Sequence, residues 1–301
     1  MVTADVLRLS AFADGNPGGN PAGVVLDARP LDGETMQAIA RRVGYAETAF
    51  VVEHAVGGDQ RHVRVRYFSP GAEVPFCGHA TIATAVALAE RDGVGTYVFG
   101  TAAGDVRIET STGADGSVTA SFTSVEPEVR ELDGPTTDEL LALIDVGPDD
   151  LDARFPVRES FAGNWHPVVA IRKLERFDAF TFDPAAMRAL MDARGWAGTV
   201  TVIHVPDSDA RGDTPPAHLE IEARNLFPVG AITEDPATGS AAASLGGYLR
   251  SLGAMATLTR VLVRQGRHVG LPSLLTVDIP AAGGITVTGT ATPIDAPELP
   301  A

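Results

Sequence analysis

Glu73-Val74-Pro75-Phe76-Cys77-Gly78-His79-Ala80 aligns without a gap on Glu234-Asp235-Pro236-Ala237-Thr238-Gly239-Ser240-Ala241. Each stretch opens a long run of small and apolar residues. The first continues Thr81-Ile82-Ala83-Thr84-Ala85-Val86-Ala87-Leu88-Ala89, and the second carries no charge before Arg250. A helix without a polar face is buried on every side. The two runs therefore predict central helices over Gly78–Arg91 and Gly239–Leu252.

The correspondence extends upstream. An Arg-x-Phe/Leu-x-Pro stretch precedes each motif, Arg66 to Pro70 and Arg224 to Pro228. Gly19-Asn20-Pro21 resembles Gly163-Asn164-Trp165, each leading into Val-Val. Between these landmarks the order strand, capped helix, strand, strand, buried helix recurs. Met36, Ile39, Ala40 and Val43 set a helical stripe from Gly33, with Gly44 where a C′ glycine belongs. Pro184–Arg194 reads as a helix with Asp183 as N-cap and Gly195 at C′. Val63, Val65 and Tyr67 alternate with polar residues as a strand does. Pro127–Pro135, charged and bounded by prolines, reads as a linker, with a short helix at Asp138–Val146 after it and a proline-rich tail beyond residue 292.

A helix enclosed on all sides needs a wrapper, and in strand-rich halves that wrapper is a curled sheet. The expected fold class is α+β. Two pseudo-symmetric halves are expected, each a curled, mostly antiparallel sheet or barrel around one central buried helix. The expected boundaries are 1–127 and 128–283, with the segment from about 284 to 301 available to return to the first half.

A chain of 301 residues with 45% apolar content can bury a core of that size. Its formal net charge is −16, and Lys173 is its one lysine. No clustered basic footprint is present for nucleic acid. One cysteine excludes a disulfide framework and a multi-thiolate metal site. No leader pattern and no apolar run long enough to span a bilayer is read. The expectation is a cytoplasmic protein that touches neither nucleic acid nor membrane.

The chemistry-bearing positions gather at the two helix starts. A helix N-terminus presents unpaired N–H groups and a positive dipole end, and Gly there lets a ligand approach the backbone. If the halves face one another, Gly78 and Gly239, with Ser240, form an interdomain receptor for a carboxylate and for enolate-like charge. His79 suits acid or base work, or caps the helix. Asp235 either hydrogen-bonds near Gly239 and Ser240 or holds His79 by charge, or is an ordinary helix-entry residue. Glu47, flanked by Ala, Thr and Phe between a helix end and an apolar strand, is either a surface loop residue or partly desolvated, the state that suits proton transfer. Its counterpart falls near Gly198, without an ionisable group. Cys77 reads chiefly as a small packed hydrophobe. Its counterpart is Thr238, so two-thiol racemase chemistry is excluded. Cys77 and His79 have no further metal ligand nearby in sequence, so no metal is expected. No G-x-S-x-G elbow, Walker loop or H-E-x-x-H is present.

Gly19-Asn20-Pro21, Ala46-Glu47-Thr48-Ala49-Phe50, the two aligned octapeptides, and Gln265-Gly266 with Pro272-Ser273 together resemble the PhzF (phenazine biosynthesis-like) family. That family has the diaminopimelate-epimerase-like fold. The resemblance spans nearly the whole chain in the expected order. It implies a cofactor-independent isomerase acting on a small carboxylate, the best-known activity being isomerisation of a dihydro-hydroxyanthranilate. It implies Glu47 as the acid/base, His79 and Asp235 as assisting catalytic residues, Gly78, Gly239 and Ser240 as substrate-holding residues, and a homodimer. Leu271 departs from the Arg that many relatives carry before Pro-Ser, at a place concerned with outer substrate contacts. An amino-acid racemase or epimerase using Glu and His, and a non-catalytic binding protein on the same fold, are the alternatives.

Overall fold

Every residue from His79 to Ala89 is buried in helix α2 (Gly78–Asp92), and the first part of the structure is built around it. The structure, a computed structural model, describes residues 4–206, 218–229, 232–253 and 260–295, so most of the proline-rich tail lies outside it. The chain divides into two units: Met1–Thr123 with Thr288–Ala301, and Ser124–Val287.

In the first unit, β1 (Leu7–Ala11) pairs antiparallel with β2 (Asn20–Val25), and β2 runs parallel to β3 (Glu47–Glu53). Next come β4 (His62–Phe68), antiparallel to β3, and β6 (Thr96–Thr101), parallel to β4. β7 (Gly104–Thr112) and β8 (Val118–Thr123) continue antiparallel. The ring closes through β17 (Thr286–Pro293), which pairs with both β8 and β1. Eight strands thus close a barrel around α2. The short β5 (Glu73–Val74) folds back on β4.

Helix α2 fits inside because five of its enclosed side chains, Ala80, Ala83, Ala85, Ala87 and Ala89, are single methyls, while Ile82, Val86 and Leu88 fill the remaining space. Its buried hydroxyls are satisfied locally. Thr81 and Thr84 donate to the carbonyls of Cys77 and Ala80, each at 2.7 Å, and Tyr67 meets Thr81 Oγ1 at 2.7 Å. Helix α1 (Gly33–Val43) packs the predicted stripe, Met36, Ile39, Ala40 and Val43, against Val25, Phe50 and Phe68. Asp32 caps its start, and Gly44, at φ 73°, ends it.

The second unit repeats the scheme. β9 (Glu128–Glu131), β10 (Arg158–Phe161), β11 (Trp165–Ala170), β12 (Val200–His204), β13 (Leu219–Val229), β15 (Arg260–Gln265) and β16 (Ser273–Asp278) pair in that sequence. β11–β12 and β13–β15 are parallel, as β2–β3 and β4–β6 are. β14 (Ile232–Asp235) folds back on β13. Helix α6 (Gly239–Ser251) touches β9, β10 and β11 toward one end of the sheet and β16 at the other, so the sheet curls around it. The fit is close: a methyl on Gly247 would lie 2.4 Å from Pro127 Cβ. Helices α3 (Gly134–Leu143), α4 (Leu174–Ala179) and α5 (Pro184–Arg194) build a second core with Val169, Val200 and Val202.

An Arg–Glu clamp ties β4 and β13 to the short strands β5 and β14 that lead into the buried helices. Arg66 donates to both oxygens of Glu73, each at 2.7 Å. Buried Arg224 does the same to Glu234, at 3.1 and 2.5 Å, and also donates to the carbonyls of Phe177 in α4 and of Phe180 just after it.

Two local expectations are corrected. Pro127–Pro135 is not an unstructured linker: Glu128–Glu131 is strand β9, held by its ladder to β10 and by Arg130–Glu159 at 2.6 Å. The helix expected at Asp138–Val146 begins at Gly134, because Asp133 caps it and accepts from Thr136 N–H.

Candidate active site

Glu47 is the first residue of β3, opposite Ala22 of β2, rather than part of a loop. The rest of β3 through Val51 is buried, which leaves the Glu47 side chain 20% exposed at the mouth of the barrel. The strand aims it at the start of α2. His79 Nε2 lies 3.5 Å from Glu47 Oε2. The Cys77 thiol donates to the same oxygen at 3.5 Å and lies 3.3 Å from His79 Nδ1. Carboxylate, thiol and imidazole thus form one contiguous cluster beside Gly78, with His79 and Cys77 both buried.

The helix ends differ in a telling way. Asp32, Asp133 and Asp183 each accept a backbone N–H at the starts of α1, α3 and α5. The cap residues of α2 and α6, Cys77 and Thr238, make no such hydrogen bond, and neither does Lys173 at the six-residue α4. A helix start without a side-chain cap can offer first-turn N–H groups to another acceptor. An anionic ligand is the acceptor such a site suits best.

In the second unit Asp235 ends β14, and Gly239 and Ser240 open α6. Thr238 Oγ1 donates to Asp235 Oδ2 at 2.5 Å. Gln265 braces this turn: its Nε2 donates to Asp235 O at 2.6 Å and to Thr238 Oγ1 at 3.0 Å, and its Oε1 accepts from Thr238 N–H at 3.3 Å. Ser240 Oγ lies 3.2 Å from His166 Nε2, whose Nδ1 sits 3.0 Å from the Thr199 carbonyl.

His166 fills the place where the sequence showed no ionisable group. Its ring rests on Gly198, where a methyl would fall 2.5 Å from His166 Cε1. Burial pushes its pKa down to about 4, against the hydrogen bond to Thr199 that favours the charged form. The ring is therefore neutral near pH 7. The unfolded chain binds this proton below about pH 6.5 while the folded chain waits until about 4, so stability falls as pH drops through that window. The expected loss reaches at most about 3 kcal/mol. Denaturant unfolding at pH 7 and pH 4.5 measures it, and the acid loss should shrink in His166→Asn. An unchanged loss would assign the acid sensitivity elsewhere.

Of the residues expected at a site, the structure brings Glu47, Gly78 and His79 together in the first unit and Asp235, Gly239 and Ser240 together in the second. The sequence reading missed the contact of Cys77 with Glu47 and His79, the brace from Gln265, and His166. His166, the one ionisable residue between the Gly163-Asn164-Trp165 landmark and Val168-Val169, was the available signal for the last.

The family model described as phenazine biosynthesis-like protein, PhzC-PhzF, matches residues 9–296. The isomerase YfhB of Bacillus subtilis is 30% identical over 97% of this chain and 97% of its own. The trans-2,3-dihydro-3-hydroxyanthranilate isomerase of Pseudomonas chlororaphis is 28% identical over 89% of this chain and 87% of its own. The crystal structure of a PhzF-family phenazine biosynthesis protein from Bacillus anthracis superposes with a TM-score of 0.80 at 27% identity, covering 98% of each chain.

Proposed function

Because this chain belongs to the PhzC-PhzF family of phenazine biosynthesis-like proteins and is an isomerase, we propose that it shifts a proton within a small unsaturated or cyclic carboxylate, with Glu47 as the acid/base. The observation that carries this reading is the Glu47–His79 contact at 3.5 Å beside the uncapped start of α2.

Glu47 carboxylate takes the proton from a carbon next to the unsaturated system. The electron pair of that C–H bond spreads into the conjugated system as the proton leaves. Glu47 then returns the proton to a different carbon, and the double bond moves. No oxidant, reductant or co-substrate is needed for this balance. His79 holds the carboxylate in position and stabilises its charge. N–H groups at Gly78 hold the charge that develops on the substrate, and the substrate-holding role that the resemblance implies for Gly239 and Ser240, with Asp235 assisting, is part of the same proposal. Removing and returning a proton is work for one carboxylate whose oxygen is already ordered, and the thiol and imidazole on Glu47 Oε2 supply that order. Racemisation between opposed thiols is not open to a chain with a single cysteine. The homodimer that the resemblance implies is part of the same proposal, and light scattering at twice the chain mass is its check.

The test incubates the protein in deuterated water with trans-2,3-dihydro-3-hydroxyanthranilate, the compound in the relatives' name, and in parallel with a metabolite extract. Mass spectrometry should find a carboxylate that gains deuterium only when the protein is present. No labelled compound in either incubation would remove the reading.

A further inference from the structure

We propose that Glu47, Cys77 and His79 form a three-ligand site for a single thiophilic divalent cation, zinc in the first place, at the mouth of the first unit's barrel. Sequence spacing hides it, because Glu47 stands on β3 and the other two ligands flank Gly78. Among the described residues it is the one grouping of three such side chains whose donor atoms lie close enough to share an ion, all within 4.8 Å of one another.

The spacing fits zinc. Tetrahedral zinc, with bonds of about 2.3 Å to sulfur and about 2.0–2.2 Å to nitrogen and oxygen, sets its donor atoms about 3.3–3.6 Å apart. Here Cys77 Sγ to Glu47 Oε2 is 3.5 Å, His79 Nε2 to Glu47 Oε2 is 3.5 Å, and Cys77 Sγ to His79 Nε2 is 3.9 Å. A sub-ångström movement of the imidazole completes the triangle. Three protein ligands leave the fourth position to water, the pattern of an open zinc site.

Charge and donor type agree. Thiolate, carboxylate and neutral imidazole carry two negative charges, which a divalent cation cancels in a place too buried to leave them bare. The thiolate selects zinc or cobalt over magnesium and calcium, which prefer oxygen alone. The second unit has Thr238 and Ser240 at the matching positions and builds no such site. As the ion enters, the Cys77 S–H bond breaks, its proton leaves to buffer, and a metal–sulfur bond forms. The site itself does not depend on the isomerase reading. Its consequence does: an ion on Glu47 withdraws the base, so zinc would reversibly switch the reaction off.

Cobalt(II) is the probe, titrated into the chelator-treated full chain. The single cysteine makes the signal specific, since thiolate-to-cobalt charge-transfer absorption in the near ultraviolet can come from Cys77 alone. The expected result is one saturating near-ultraviolet band with visible ligand-field bands, bleached by an equivalent of zinc. Cys77→Ala should lose the near-ultraviolet band, and Glu47→Gln and His79→Gln should each weaken cobalt binding by about ten-fold or more. In wild type and in every variant that keeps Cys77, binding should tighten as pH rises, because a proton is released. No near-ultraviolet band under excess cobalt, or a band with the same affinity in both Glu47→Gln and His79→Gln, overturns the site. Either result leaves the deuterium test of the isomerase untouched.

Discussion

Glu47→Gln is expected to lower solvent-deuterium incorporation into the substrate by about 10²–10⁴-fold, the range over which a positioned acid/base contributes. The amide keeps the size of the carboxylate and can still meet the Cys77 thiol and the His79 ring, so fold stability should change by no more than about 1 kcal/mol. Rate and stability therefore separate, which distinguishes loss of a base from loss of structure. Glu47→Asp, which keeps the charge but retracts it from His79, should fall between the two. Exchange that survives Glu47→Gln undiminished would move the base elsewhere, and His79 would be the next residue to change.

Gly266→Ala is expected to destabilise the second unit by about 3–5 kcal/mol. Gly266 has φ 82°, a left-handed conformation, and an added methyl would lie 2.2 Å from Leu271 O and 2.6 Å from Pro236 O. Both obstacles are backbone atoms, so no side chain can swing away to relieve them. One of them belongs to the turn between Asp235 and Thr238, which the neighbouring Gln265 braces. The substitution should thus loosen the start of α6 as well as the sheet. Denaturant unfolding measures the first effect. Amide exchange at Ser240–Ala242 measures the second, and native-like protection there with a large loss of stability would separate the glycine from the site.

The parts of this fold that could be read in the sequence are those where local chemistry and tertiary position agree. Asp32, Gly44, Asp183 and Gly195 mark helix ends whose caps are made by those same residues. The two enclosed helices announce themselves because no polar face can hide from a barrel interior. The segments that escaped notice depend on partners far along the chain. Strand β9 has one apolar residue, Val129, in its four, and exists through β10 and Arg130–Glu159. Helix α4 starts at Lys173 without a side-chain cap and is fastened by Arg224 from β13. At the candidate site the helix starts were legible because the repeat exposes them. The thiol's position between carboxylate and imidazole was not, because it arises only when β3 is laid beside the start of α2.

The barrel that encloses α2 is completed by its last strand, and this sets an order of events during synthesis. β1 to β8 emerge from the ribosome early, yet β17 follows only after Ser124–Ile285 has been made. At about 5–20 residues per second that is a wait on the order of ten to thirty seconds. Meanwhile the edges of β1 and β8 that β17 will join stand open to other chains. The second unit, whose strands from β9 to β16 are continuous in the chain, has all its parts first. A nascent chain stopped before Thr286 should therefore engage chaperones through its amino-terminal part and be released once Pro293 has cleared the exit tunnel.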